Sequence, residues 1–332
     1  MVRGPHKLST LHEDTEPYMQ EANAAMRDPS MSPDDVATLF LTLSRRAVEN
    51  KLGEDEEPTS TSANDNTPGL GLFLWDLWYL LLYIASEDPS LHERLISILQ
   101  AVMAKGKGPE GWQIWKQDVD WADLPLFGPT ARECHNGPAL RDENGRSLHD
   151  PYPPEVLATV AGDPPTDSPL SRLVARARTD WLNHNLFIAQ LWARDMGDWS
   201  TWGIATMRMD LEPYSLPPES RRFTGKPFLS QELDIETAAV WIRIAGKKMY
   251  ENRQILGPKG NPGWDPKLLG AAGSSGGTWD GVDGYHPDRW AHWKDIFKKI
   301  SEGEGRQNMI DAAKAAVEAM EQVEREHAAE AH

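Results

Sequence analysis

The hydrophobic pattern is organised around the segment Asp180–Asp195, in which apolar residues cover nearly the whole circumference of a predicted helix. A helix with this pattern is buried on most sides, so its polar residues are the unusual ones. Asp180 and His184 lie four residues apart and share one face. A second polar line contains Asn183, Gln190 and Arg194. Both lines need partners inside the fold, because an unpaired buried polar group lowers stability.

The strongest apolar run, Leu70–Ala85, predicts a second buried helix. It is shorter than the roughly 20 residues that a bilayer core requires, and it carries Asp76 near its middle. We therefore predict a core helix and no membrane span. An unpaired carboxylate would be unfavourable between Trp75 and Trp78, so we expect an arginine or an indole N–H beside Asp76.

Other segments have helical periodicity or helix-end signals. Ser32 and Pro33 begin a helix that ends at Asn50, and Asp88 begins one that Gly106 stops. Further helices are predicted over 16–27, 200–212, 234–249, 287–300 and 306–327. No stretch has convincing strand alternation. We predict an all-α fold, a single irregular helical bundle of about eight to twelve helices with long loops.

Loop composition predicts the domain organisation. Residues 53–68 are acidic and rich in Ser and Thr, which is typical of a mobile connector. Residues 257–284 are rich in Gly but lack a phosphate-binding pattern, so a plain flexible loop is favoured. We predict N-terminal helices and an acidic mobile loop in 1–68, a Trp-rich helical core domain in 69–300, and a C-terminal amphipathic acidic helix in 301–332 that packs on or extends from that core.

Composition narrows the classes of partner. The 332 residues include 34 basic and 51 acidic side chains, a formal net charge of −17, with acidic residues concentrated at both ends. Without a basic stripe, nucleic acid and anionic membrane are not expected as direct ligands. Cys134 is the only cysteine, so no internal disulfide is possible. No segment near Met1 has the pattern of a signal peptide, and we expect a cytoplasmic protein, with the nucleus left open.

Fourteen tryptophans suggest where the core and a ligand pocket lie. Large aromatic side chains are mostly buried and sometimes line pockets. Arg289, beside Trp290 and Trp293, has a stacking surface and a fork that pairs carboxylates, and either Asp76 or Asp180 would be a natural partner. We hypothesise a buried Arg–Asp–Trp network that fixes the helix arrangement. The ligand-pocket candidates are Asp76, Asp180, Trp181, His184, Trp192, Trp241, Arg289 and Trp290.

Catalytic and metal chemistry are weakly indicated. Asp180 could hold His184 as a general base, but a structural hydrogen-bonded pair is favoured. His286, Asp288 and His292 do not predict a metal site, because the two histidines are six residues apart and not three or four. The adjacent pair formed by Cys134 and His135 lacks a nucleophile signature. We expect neither a metal nor a cofactor.

A succession of short motifs runs in order over about residues 70 to 300. They are Leu74–Trp78 (LWDLW), Trp121–Pro125 (WADLP) with Arg132-Glu133, Trp181–Ala189 (WLNHNLFIA), Trp199–Glu212, Ala238–Ile242 (AAVWI) with Ala245-Gly246, and Asp288–Lys294 (DRWAHWK). Their order and spacing resemble a family of fungal proteins, domain of unknown function 3632. The resemblance implies a fungal, soluble, helix-rich protein and brings no catalytic residues. The acidic loop before Leu70 and the Gly/Ser insertion near Gly273 look like additions outside the shared pattern.

Two functions fit these patterns. The preferred one is a non-catalytic protein-binding or scaffold module that uses its acidic surface and the C-terminal amphipathic helix. The alternative is a small-molecule binding protein or an enzyme of fungal secondary metabolism, with an apolar or aromatic ligand in a pocket. That pocket would be formed by Trp181, His184, Trp192, Trp241 and Arg289. An enclosed pocket with converging polar groups would favour the second function, and a filled core with an exposed apolar patch would favour the first.

Overall fold

A computed structural model describes residues 11–53, 66–138, 140, 168–215, 231–265, 271–274, 277 and 279–330. These residues form ten α-helices and one small hairpin, so the predicted all-α fold is confirmed. The chain divides into two compact units, residues 1–150 and 151–332. The segment boundaries expected at 68/69 and 300/301 stay a prediction. Most of the acidic loop expected over 53–68 lies outside the described residues.

The first unit is built around one apolar helix. Its elements are α1 Glu16–Arg27, α2 Pro33–Glu49, α3 Leu70–Glu87, α4 His92–Met103, β1 Gln113–Ile114, β2 Gln117–Asp118 and α5 Phe127–Cys134. α3 is the one helix in the described part of the chain that is long and apolar enough to cross a membrane, but 61% of it is buried inside the protein. It is therefore a core helix, as predicted, and the described residues contain no clear membrane span.

Helix ends in the first unit are closed by side chains. Ser32 and Asp35 form the reciprocal capping box that starts α2, with Pro33 in its first turn. The Arg94 guanidinium on α4 closes the end of α1: Nε donates to the Met26 carbonyl at 2.7 Å and Nη2 to the Ala25 carbonyl at 2.9 Å. These carbonyls have lost their helical partners, so one arginine fork ties α4 to the C-terminus of α1.

The hairpin formed by β1 and β2 is a strand pair that the sequence pattern did not predict. Its strands are only two residues long, too short to produce a visible alternation. Its turn residues, Trp115 and Lys116, both have positive φ, 52° and 64°. A two-residue turn of this kind usually contains Asn and Gly, so the turn signal was also missing from the sequence.

The second unit is organised by the predicted central helix. Its elements are α6 Pro169–Ala193, α7 Ser200–Thr206, α8 Gln231–Glu251, α9 Pro287–Glu302 and α10 Gln307–Glu330. α6 begins about three turns before the predicted start at Asp180, because the Ser168 side chain accepts a hydrogen bond from the Ser171 amide and Pro169 occupies the first turn. Leu170, Leu173, Val174 and Ala177 recur at helical spacing and continue the apolar pattern toward the start of α6.

The C-terminal helix α10 packs on its own unit, against α8 and α9. Its stripe of Met309, Ala313, Ala316 and Met320 is buried. A polar contact adds to this packing, since the Trp290 indole N–H on α9 donates to the Glu324 carboxylate at 2.9 Å. The apolar face of α10 is therefore occupied within the chain.

The segment after α7 has unusual backbone geometry. Met207–Leu211 forms a π-helical turn, and Glu212–Ser215 continues as a 3-10 turn. Short π-helical turns are rare and are frequent at functional sites. This change of helix type positions the side chain of Glu212, which is fully buried.

Candidate functional site

A buried ion pair lies at the centre of the second unit. Arg289 on α9 and Glu212 are both 0% exposed, and Arg289 Nε donates to Glu212 Oε1 at 2.6 Å. The Trp293 indole N–H donates to the same oxygen at 2.9 Å. The Arg289 guanidinium carbon lies 5.7 Å from the ring centroids of both Trp279 and Trp293. The predicted arginine–carboxylate–tryptophan network is present, but its acid is Glu212 and neither Asp76 nor Asp180.

The remaining donors of Arg289 hold backbone carbonyls. Nη1 donates to the carbonyls of Gly273 and Gly284, and Nη2 donates to that of Ser274 at 3.1 Å. We name residues 271–274 the strap. This part of the Gly-rich segment, predicted to be a plain flexible loop, is anchored to a buried cation. The pattern around the strap contained no signal for this, because the acceptors are backbone atoms.

Aromatic rings extend from the ion pair to α6 and α8. Tyr285 lies between Trp293 and Trp192, with ring centroids 6.3 Å and 6.0 Å away, and Trp192 meets Trp241 edge-on at 6.1 Å. These four rings are all buried. α7 approaches them through Gly203, where an added Cβ would lie 2.9 Å from both Trp192 and Tyr285 atoms.

The polar groups of Tyr285, Trp241 and Trp293 in this aromatic cluster are bonded inside the unit. The Tyr285 hydroxyl donates to the Ser200 carbonyl at 2.6 Å, and burial, with the Asp198 charge, raises the pKa of the phenol well above its usual value. The Trp241 indole N–H donates to Asn185 Oδ1 at 2.9 Å, and the Asn185 amide donates to the Trp181 carbonyl at 3.0 Å. The cluster therefore resembles a satisfied core more than the wall of a ligand site.

Other pocket candidates are also placed. His184 is buried, and its ring stacks on Trp181 with the centroids 5.8 Å apart. Asp180 forms an ion pair with Arg176 one turn earlier, at 3.5 Å. The Asp180–His184 pair stays a prediction. Trp290 lies on α9 beside Arg289 but bonds to α10 through its indole N–H, as described above.

Asp76 belongs to the first unit and is 1% exposed on α3. Its carboxylate accepts hydrogen bonds from the Thr15 hydroxyl, from the His12 amide at 3.1 Å and from His12 Nδ1 at 3.2 Å. The expectation of an arginine or an indole N–H beside Asp76 is therefore wrong. Its partners come from the N-terminal segment, whose weak periodicity did not suggest packing on α3.

The histidines considered for a metal centre have other roles. His286 Nδ1 accepts a hydrogen bond from the Asp288 amide at 3.1 Å and caps α9. The His292 ring lies 5.8 Å from the Trp279 ring, and burial lowers the pKa of that imidazole. Within the described ranges, no group of three or more His, Cys, Asp or Glu residues is arranged to hold a metal ion.

A pair of carboxyl groups that the sequence analysis did not single out lies beside the π-helical turn. Asp210 in that turn and Asp234 in the first turn of α8 are both partly buried and repel each other. Burial raises the pKa of Asp234 to about 7, against the opposite effect of Arg178. Burial and the Asp234 charge raise the pKa of Asp210 as well. Such perturbed pairs are typical of sites that handle protons.

Replacing Arg289 by Leu should lower the free energy of unfolding by about 3–5 kcal/mol, because Glu212 would be left as a buried charge without its cation. Urea unfolding followed by tryptophan fluorescence measures this change. Removing both charges, in Arg289→Leu with Glu212→Leu, should recover part of the loss. Arg253→Gln, on an exposed arginine, is the control. An unchanged stability of Arg289→Leu would show that the pair does not hold the fold.

Replacing Asp234 by Asn should stabilise the protein increasingly as the pH rises. Folding raises the pKa of Asp234 from 3.8 to about 7, so the folded protein holds a proton that the unfolded chain releases at lower pH. The wild type therefore loses stability as the pH rises through this interval. Asn does not titrate, so the variant does not lose it. The stability difference between variant and wild type should therefore grow by about 3–4 kcal/mol between pH 4 and pH 8, since each pKa unit corresponds to about 1.4 kcal/mol. Asp295→Asn, on an exposed aspartate, should show no such growth. A flat difference for Asp234→Asn would contradict a raised pKa.

The model of the family described as "Protein of unknown function (DUF3632)" matches residues 78–297, more than half of the chain. No curated protein and no solved structure matches. The matched region includes the Glu212–Arg289 pair, the carboxyl pair and the hairpin, and it excludes Asp76 and α10. The chain therefore belongs to the DUF3632 family of proteins of unknown function.

Proposed function

We propose that this protein is a non-catalytic protein-binding module, and that Trp115 is its main contact residue. The observation that carries this proposal is the exposure of Trp115, which is 50% accessible at the tip of the hairpin. Rigid, half-exposed tryptophans supply much of the free energy of binding at protein interfaces, because they bring a large contact area with few rotatable bonds. The partner surface would be a pocket that accepts one indole ring.

The backbone of the hairpin supports this proposal. A tryptophan at positive φ is a conformational outlier, and such strain persists where the surrounding structure imposes it. Here the Trp115 amide donates to Asn66 Oδ1 at 2.8 Å, and the Gln113 amide donates to Thr67 Oγ1 at 2.7 Å. The Thr67 amide donates to the Gln113 carbonyl at 2.7 Å. The turn is thus fastened to the segment before α3, and the indole is held out from it.

Two features expected to serve binding are instead used inside the chain. The apolar face of α10 is buried, so the hairpin replaces that helix as the proposed contact. Trp192 and Trp241 contact each other, and the Trp241 indole is bonded to Asn185. Their packing gives less support to the alternative function, a small-molecule pocket lined by these rings.

Replacing Trp115 by Asn tests whether the indole serves binding or folding. Asn tolerates positive φ, so Trp115→Asn should leave stability unchanged or raise it by about 0.5–1 kcal/mol, measured by urea unfolding. Capture of the partner from an extract of the source organism should be lost. A photo-crosslinking amino acid at position 115 identifies that partner, and the same amino acid at Met209, which is 55% exposed, is the matched control.

The variant Lys116→Gly distinguishes the contribution of the Trp115 indole from that of the backbone strain in the turn. Gly relieves the positive φ at position 116 and keeps Trp115, so this variant should be more stable and should still bind. If Trp115→Asn lowers the free energy of unfolding by more than about 1 kcal/mol, the indole stabilises the fold and is not mainly a contact residue. Equal crosslinking from positions 115 and 209 would also overturn the proposal.

A second candidate, small-molecule binding with acid–base chemistry, is supported by the carboxyl pair. Two carboxyl groups with raised pKa values can hold one proton between them and pass it to a ligand. Native mass spectrometry of protein purified from its source organism should then show a retained small molecule. Asp210→Asn should release it, and Asp295→Asn should retain it. Protein that carries no small molecule would contradict this second candidate.

A further inference from the structure

Arg208, in the π-helical turn, is a cation without an acidic partner among the residues that the structure describes. It is partly buried. Its Nη1 donates to the Ala271 carbonyl at 3.0 Å and to Ser274 Oγ at 2.7 Å, both in the strap. Its Nε and Nη2 donate to no described residue. A guanidinium has five N–H donors in a planar fork, so most of the binding capacity of Arg208 is unused.

The strap does not need this second arginine to hold it. Arg289 already donates to the carbonyls of Gly273 and Ser274, and its charge is neutralised by Glu212. The charge of Arg208 has no such compensation within the described ranges. A partly buried charge is more favourable when it is paired, so the free donors of Arg208 are suited to an anionic ligand.

Ser274 adds a neutral donor beside the guanidinium. Its Oγ accepts the bond from Arg208, and its own hydroxyl proton is not donated to any described residue. Asp210, two residues after Arg208, interacts with Asp234 on α8, whereas Arg208 contacts the strap. Asp210, the nearest acidic residue in the turn, therefore interacts with Asp234 and does not neutralise Arg208.

We propose that Arg208 and Ser274 form a binding site for an oxyanion, the carboxylate or phosphate of a small molecule. The free edge of the guanidinium offers two parallel N–H donors, which match the two oxygens of such a group, and the serine hydroxyl offers a third. The location on a π-helical turn agrees with the frequent occurrence of these turns at functional sites. The site lies in the second unit and is independent of the Trp115 contact in the first.

Isothermal titration calorimetry of the full chain with inorganic phosphate and with acetate, at constant ionic strength, tests this site. Wild-type protein should bind at least one probe saturably, in the millimolar range. Arg208→Gln should weaken binding about tenfold or more, and Ser274→Ala about fivefold, as expected for a charge-assisted and a neutral hydrogen bond. Tighter binding of phosphate would identify a phosphorylated ligand, and equal or tighter binding of acetate would identify a carboxylate.

Arg253→Gln is the matched control, since Arg253 is exposed and donates only to the neighbouring carbonyls of Tyr250 and Asn252. It should bind both probes like the wild type. If Arg208→Gln does not fold, Arg208→Lys keeps the charge without the planar fork and should weaken binding, as should Ser274→Ala. Absence of saturable binding in the wild type, or unchanged affinity in the Arg208 and Ser274 variants, would overturn the proposal.

Discussion

The buried pair of Glu212 and Arg289 is the interaction on which the second unit depends. Removing two charges from water is unfavourable by several kcal/mol per ion, and the attraction between them offsets this only when the remaining donors and acceptors are also satisfied. The structure meets that condition with the Trp293 indole on the acid and with backbone carbonyls on the guanidinium. The pair is therefore sensitive to anything that moves α9, the strap or the π-helical turn.

The geometry that the Glu212–Arg289 pair requires accounts for the succession of helix types around it. Glu212 reaches Arg289 because the chain changes from α-helix to π-helix and then to a 3-10 turn before it. The same change points Arg208 at the strap and Asp210 at α8. One local departure from regular helix thus places three side chains in three different electrostatic environments. They are a neutralised cation–anion pair, a cation without an acidic partner in the described part of the chain, and a carboxyl pair.

The sequence predicted the fold better than the site, for a physical reason. Apolar periodicity is local, so α3, α6 and α9 could be recognised from their own residues. Ion-pair partners are not local, and Glu212 lies far from Arg289 in the chain, so the sequence pattern predicts only that Glu212 ends a helix. For Asp234 the pattern predicts only a helix start, because the burial that raises its pKa depends on what packs around it. The anchoring of the strap to Arg289 could not be predicted, because it uses carbonyl groups, which every residue has.

The hairpin is the opposite case. Its turn residues depart from the sequence preference of two-residue turns, and this departure carries information about function. A two-residue turn with Trp and Lys at positive φ has no folding advantage over Asn and Gly, and an exposed indole makes no contribution to the core. A residue that is unfavourable for the turn and exposed to solvent supports the proposed interaction with a partner. The packed aromatic cluster has the opposite properties, since its rings touch one another and the polar atoms of Tyr285, Trp241 and Trp293 are bonded. The number of tryptophans in a chain therefore says little about binding. The exposure and the backbone conformation of a single tryptophan say much more.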